Sequence, residues 1–166
     1  MKRYVLLILL SLMVFSGCNY GFRGKNPPPG ISTLNIPLFE NTSGFAESDI
    51  REKFTESLKN KIVSDNTFLL TDKEQADGML TCNIATVTDE PLVISGNEQV
   101  SKRKITITIS VDFQNLKTTK QIWQRNFVNY GEYNSSSGSF SERLVGVNEA
   151  IEKITEDIIN DLTSNW

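Results

Sequence analysis

The chain has 166 residues with 17 basic and 20 acidic side chains, two cysteines and no histidine. That length suits one ordinary domain, and the acidic balance without a long basic run argues against nucleic acid as a partner. The missing histidines exclude Ser-His-Asp and Cys-His catalysis and every His-ligated metal site.

Residues 1–17 read as a secretion leader. Lys2 and Arg3 form the charged start, Val5 to Phe15 an apolar run broken only by Ser11, and Ser16-Gly17 the small residues before cleavage. About 11 apolar residues are too few to span a bilayer, which needs about 20. Phe15-Ser16-Gly17-Cys18 resembles a bacterial lipobox, which implies that Cys18 carries a covalent lipid and becomes the mature N-terminus. Removing the leader leaves 149 residues with 15 basic and 20 acidic side chains, a net charge of −5. Asn19 stands where an aspartate would resemble an inner-membrane retention signal, which favours the outer membrane. Residues 18–30 then form a tether stiffened by Pro27-Pro28-Pro29. The 12 residues between Cys18 and Ile31 reach roughly 40 Å when extended.

Residues 31–166 read as a single α+β domain. Ile31 to Phe39 is a strand in which Pro37 marks an edge position or a strand end. Ile50, Phe54, Leu58 and Ile62 recur every fourth residue and predict an amphipathic helix. Phe68 to Leu70 is a short strand candidate. Leu80, Cys82 and Ile84 alternate with polar residues to about Thr88, before Pro91. Lys104 to Phe113 alternates strictly: Ile105, Ile107, Ile109, Val111 and Phe113 share one face, and Thr106, Thr108, Ser110 and Asp112 the other. This predicts a half-buried strand with one solvated face. Ile122 to Tyr130 is a further strand, apolar in part on both sides. Ser139 and Glu142 have capping-box spacing, and Phe140, Leu144, Val147, Ile151, Ile154, Ile158 and Leu162 form a continuous helical stripe. Gly146 inside that stripe costs about 1 kcal/mol against alanine. The expected order is β-α-β-β-β-α, a four-strand mixed sheet with two helices packed on one face.

Few residues offer chemistry. Cys82 lies on an alternating apolar face and reads as an inert buried thiol. Lys102-Arg103-Lys104 is the dense basic cluster of the mature chain, either a dock for phosphate or carboxylate or a solvated strand start whose charges discourage edge pairing. Asp89-Glu90, Glu156 and Asp157 read as solvated acids. Ser135 to Ser137 lacks a nucleophile elbow, and no Walker loop or dinucleotide fingerprint is present. Tyr20, Phe22 and Trp166 either pin the termini to the domain or meet a membrane or partner. Neither an enzyme nor a metal or other cofactor is expected beyond the lipid on Cys18.

The motifs carry a resemblance. Cys18-Asn19-Tyr20-Gly21-Phe22-Arg23-Gly24 resembles the opening of the LPS-assembly lipoprotein (LptE) family, Ile36-Pro37-Leu38-Phe39-Glu40-Asn41-Thr42 its first strand and turn, and Ala76-Asp77-Gly78-Met79-Leu80 the start of its second half-sheet. Trp123, Ala150 and Asp157 to Leu162 are similar to the later pattern. The resemblance implies an outer-membrane lipoprotein that plugs an LptD-like β-barrel, assists its assembly and contacts lipopolysaccharide. It makes Lys102, Arg103 and Lys104 the candidate lipopolysaccharide contacts. A competing reading is a periplasmic lipoprotein that activates a cell-wall synthase, for which the tether is short.

Overall fold

The computed structural model describes residues 27–46, 49–94, 100–135 and 140–164. The leader, Cys18, the aromatic residues of the tether, Ser139 of the capping box and Trp166 lie outside them. In chain order the elements are β1 (Thr33–Asn35), β2 (Glu40–Asn41), α1 (Ile50–Asp65), β3 (Leu69–Leu70), a 3-10 turn (Lys73–Gln75), β4 (Gly78–Ile94), β5 (Val100–Asn115), β6 (Lys120–Asn134) and α2 (Phe140–Ser164).

The α+β class and the mixed sheet agree with the sequence, but six strands replace the expected four. They run in the order β3-β1-β4-β5-β6, with β2 also on β4. Strands β1 and β2 lie parallel to β4, and β4, β5 and β6 form an antiparallel meander. The predicted strand from Ile31 to Phe39 is divided because Pro37 has no N–H to give to a ladder. Asn35 pairs with Met79 and Glu40 with Asn83, so the edge segment carries one residue more than β4 between these points. The displaced backbone is bonded elsewhere: Phe39 N–H donates to Thr55 Oγ1 (3.0 Å), and Arg51 Nε donates to Phe39 O (2.7 Å). Leu69 and Leu70 supply the remaining strand by pairing with β1.

Strand β4 runs past the expected end at Thr88 and through Pro91, because β1 and β2 cover it only as far as Ile84. Beyond that point it is an edge strand on the side away from β5, where a missing donor is tolerated. Register shifts at Ile84/Thr86 and Pro91/Val93 accompany the change.

The strict alternation of β5 governs the layering. Ile105, Ile107, Ile109, Val111 and Phe113 are fully buried, together with Leu80, Cys82 and Ile84 of β4. Over them lie Phe54, Leu58 and Ile62 of α1 and Val147, Ile151, Ile154, Ile158 and Leu162 of α2, in one core. Hydrophobic burial of this kind is the dominant stabilising term. The opposite face of the sheet has no helix against it among the described residues. Its central rows are neutral by register: Asn83, Ser110 and Asn126; Thr86, Thr108 and Val128; Thr88, Thr106 and Tyr130.

Gly146 has a use that the helical pattern does not reveal. A Cβ built on Gly131 of β6 would stand 1.9 Å from the Gly146 carbonyl oxygen, so two backbones touch where α2 crosses the sheet. Glycine permits that approach.

Candidate functional site

The basic cluster lies near the start of β5, after Val100 and Ser101, and is divided by the pleat. Arg103 lies on the helix side, in register with Pro91 and Tyr133. Its Nε donates to Asp89 Oδ1 at 2.8 Å and its Nη2 to the Asp89 carbonyl at 3.0 Å. The Tyr133 hydroxyl donates to the other carboxylate oxygen at 2.8 Å. Burial, and then the Asp89 charge, push the Tyr133 phenol above its ordinary range. Arg103 is thus held within a half-buried triad.

Lys102 and Lys104 take the other direction of the pleat. Lys102 is exposed and its ammonium lies 3.8 Å from Glu132 Oε2. The Lys104 ammonium stands 5.6 Å from the centroid of the Tyr130 ring. Lys104 is also directly opposite Glu90 on one side and Glu132 on the other. Three adjacent cations in the sequence therefore meet three carboxylates across the strands, and the surface is of mixed sign. A cleft of about 350 Å³ beside it is lined by Lys102, Glu132, Tyr133, Asn134, Glu142 and Val145.

Of the acids read as solvated, Glu90 is exposed and the other three are engaged. Asp89 holds Arg103, Glu156 pairs with Lys61 of α1 (3.3 Å), and Asp157 accepts from Asn129 Nδ2 (3.0 Å). A groove of about 540 Å³ between α1 and α2 contains Lys53 and Lys61, both ion-paired. Cys82 is buried, and burial pushes its thiol far above the ordinary value, so it is inert as expected. Among the described residues, no group of three or more Asp, Glu, Cys or His side chains could hold a metal ion. No described helix is long and apolar enough to cross a membrane.

The two ends of the sheet differ. Asn115 pairs with Gly78, next to where the chain arrives from the tether at Ser32 and Thr33, whereas Lys102 lies at the opposite end of β5. The separation along that strand is roughly 44 Å at about 3.4 Å per residue.

A family model described as LptE, lipopolysaccharide-assembly, matches residues 31–164. The chain belongs to this family. No curated protein matches the sequence. Solved structures share the LptE-like fold at low sequence identity. The hypothetical protein CT253 from Chlamydia trachomatis is 9% identical with a TM-score of 0.56, over 79% of this chain and 95% of that one. The minor lipoprotein from Acinetobacter baumannii is 13% identical with a TM-score of 0.53, over 81% and 92%. The rare lipoprotein B from Shewanella oneidensis is 10% identical with a TM-score of 0.52, over 78% and 92%.

Within the LptE fold the motif residues act as fasteners. Asn41 closes its turn by accepting from Ser43 N–H (3.0 Å), while Thr42 N–H donates to Ile84 O (3.0 Å). Asp77 is the most heavily bonded. One carboxylate oxygen accepts from Ser32 N–H (2.8 Å), Ser32 Oγ (2.9 Å) and Thr33 N–H (3.0 Å), and the other meets Lys117 Nζ at 2.6 Å. The Asp77 carbonyl accepts from Leu116 N–H (2.8 Å). One residue thereby ties the arriving tether to the start of β4 and to the β5–β6 turn. The resemblance located this motif, but only the register shows what its aspartate holds.

Lys117, then Ser32 and Thr33, hold the Asp77 carboxyl well below the usual carboxylate range. A carboxyl acidified by folding stabilises the native state above its unfolded value, about 3.9, and that contribution fades as pH falls further toward its folded value. Acid titration of Asp77→Asn should therefore show a weaker loss of stability below about pH 4 than the parent shows. Parallel curves would remove Asp77 from that role.

Proposed function

We propose that this LptE-family chain is an outer-membrane lipoprotein, anchored through lipid on Cys18, that plugs and helps assemble an LptD-like β-barrel and contacts lipopolysaccharide. The observation that carries this reading is the uncovered face of the sheet. Nine register positions on β4, β5 and β6 present a broad neutral surface of hydroxyl and amide groups with Val128 and Tyr130 at its β6 side. Such a face needs no apolar cover and matches the polar interior of a large outer-membrane barrel. Filling a lumen requires no reacting group. A photo-crosslinking residue at Thr108 should trap a large outer-membrane barrel in cells, and one at Glu56, on α1, should do so less. Equal or absent trapping from Thr108 would overturn the orientation.

The lipopolysaccharide contacts proposed are Lys102 and Lys104, at the end of the sheet away from the tether, with Arg103 belonging to the same cluster in sequence but committed to Asp89. Their phosphate-binding strength is reduced by Glu90 and Glu132, since charges of opposite sign this close offset one another. Replacing Lys102 and Lys104 with serine should weaken lipopolysaccharide binding severalfold with an unchanged melting temperature. Arg103→Ser should instead lower thermal stability, because it leaves Asp89 without its half-buried cation. A binding assay beside circular dichroism separates the two outcomes. Undiminished binding after the double lysine change would remove these residues from the proposal.

A further inference from the structure

Strand β6 ends the sheet, so alternate residues along it turn their backbone groups away from β5 and out of the ladder. Side chains take both of those groups at Tyr130 and the N–H at Glu132. Glu132 N–H donates to Glu149 Oε2 at 3.0 Å, and the Tyr130 carbonyl accepts from Lys153 Nζ at 3.0 Å. Tyr130 N–H donates to Asn129 Oδ1 at 2.9 Å, and Asn129 Nδ2 donates to Asp157. Farther along, Arg125 pairs with Asp161.

The four helical partners, Glu149, Lys153, Asp157 and Asp161, stand at four-residue intervals and so form one stripe of α2. Glu149 and Lys153 also bond each other at 2.7 Å, and the Lys153 ammonium lies 4.7 Å from the Tyr130 centroid. The close Gly131–Gly146 contact brings this part of α2 near enough for short reaches. Two features of the stripe are independent of core packing. Its first two members set an acceptor beside a donor, which suits the N–H of Glu132 and the C=O of Tyr130, and it lies beside the buried apolar stripe.

We infer that the charged stripe of α2 is an edge guard, which occupies the Tyr130 carbonyl and the Glu132 N–H and prevents β6 from pairing with β6 of a second copy of this chain. Without such occupation, an edge strand carrying exposed Val128 and Tyr130 and no proline is a template for sheet continuation. The guard leaves the open face and the Lys102 end accessible while closing the route by which two plugs would associate.

Amide exchange and mass measurement on the full chain in detergent test this directly. In the parent, the Glu132 amide should exchange slowly although it belongs to an edge strand. Glu149→Ala should speed it by at least about tenfold, the factor expected for one lost charge-assisted hydrogen bond, and Glu149→Gln, which keeps an acceptor, should restore most of the protection. Light scattering corrected for detergent should show a monomeric parent and a concentration-dependent dimer for Glu149→Ala/Lys153→Ala. Adding Val128→Lys to that double variant should return it to monomer, since an edge lysine disfavours strand pairing. Unchanged exchange at Glu132, or faster exchange without dimerisation, would overturn the guard. So would dimerisation that Val128→Lys leaves intact.

Discussion

Replacing Gly131 with alanine should destabilise the domain by about 3 kcal/mol or more, at or beyond the upper end of ordinary overpacking. The added methyl would stand 1.9 Å from the Gly146 carbonyl oxygen and 2.8 Å from its carbon, and both belong to backbone. No rotamer change can relieve such a contact. Either α2 lifts from β6 or the strand bends, and either movement separates Val147 and Ile151 from the core they help to close. Gly146→Ala should cost much less. Its methyl would meet a Tyr133 ring carbon at 3.1 Å, which a small ring shift can relieve, and alanine returns about 1 kcal/mol of helix propensity. Urea unfolding should show a lowered midpoint for Gly131→Ala with unchanged slope. Equal midpoints for the two variants would show that the backbones are not in contact.

Phe113→Ala should cost about 3–5 kcal/mol, the range for emptying a buried aromatic site. The ring is fully buried, meets Trp123 edge-to-face with centroids 5.6 Å apart, and lies against Gly78 so closely that a Cβ there would come within 2.9 Å of it. Three strands meet at this ring, so its surroundings cannot collapse into the vacated volume. Phe113→Leu keeps most of the apolar contact and should lose clearly less than Phe113→Ala. Urea midpoints for the two variants measure the difference. A loss below about 1 kcal/mol for the alanine would mean that the site repacks.

These two positions show how far the sequence could be read. Phe113 closes a strict period-two run, so its face and burial followed from alternation alone, as the buried stripes of α1 and α2 followed from helical spacing. Gly131 and Gly146 belong to different elements and have no shared signature. The meaning of each appears only when the helix is laid across the strand. The same distinction governs the site. The family motifs placed Asp77 at the entry to β4, whereas the expected turn at Asn41-Thr42 begins inside a strand, β2. Lys102, Arg103 and Lys104 formed one cluster in the sequence because adjacency in a chain is visible there. The pleat sends adjacent side chains to opposite faces, and the carboxylates that meet them come from neighbouring strands through register. Asp89 is 14 residues from Arg103, and no local pattern pairs them. The strand count differed for a related reason: Pro37 signalled an interruption, but not that the chain would resume pairing at Glu40. The long terminal helix was legible in its apolar face, whereas Asp157 looked solvated because the edge of β6 that Asn129 presents to it is a tertiary feature.

A plug must travel with the barrel that it fills. The full chain should therefore be purified from cell membranes in mild detergent and the stoichiometry of whatever accompanies it measured. A large outer-membrane β-barrel recovered in near-equal amount is the predicted result. Recovery of the chain alone, or of a cell-wall synthase in place of the barrel, would contradict it.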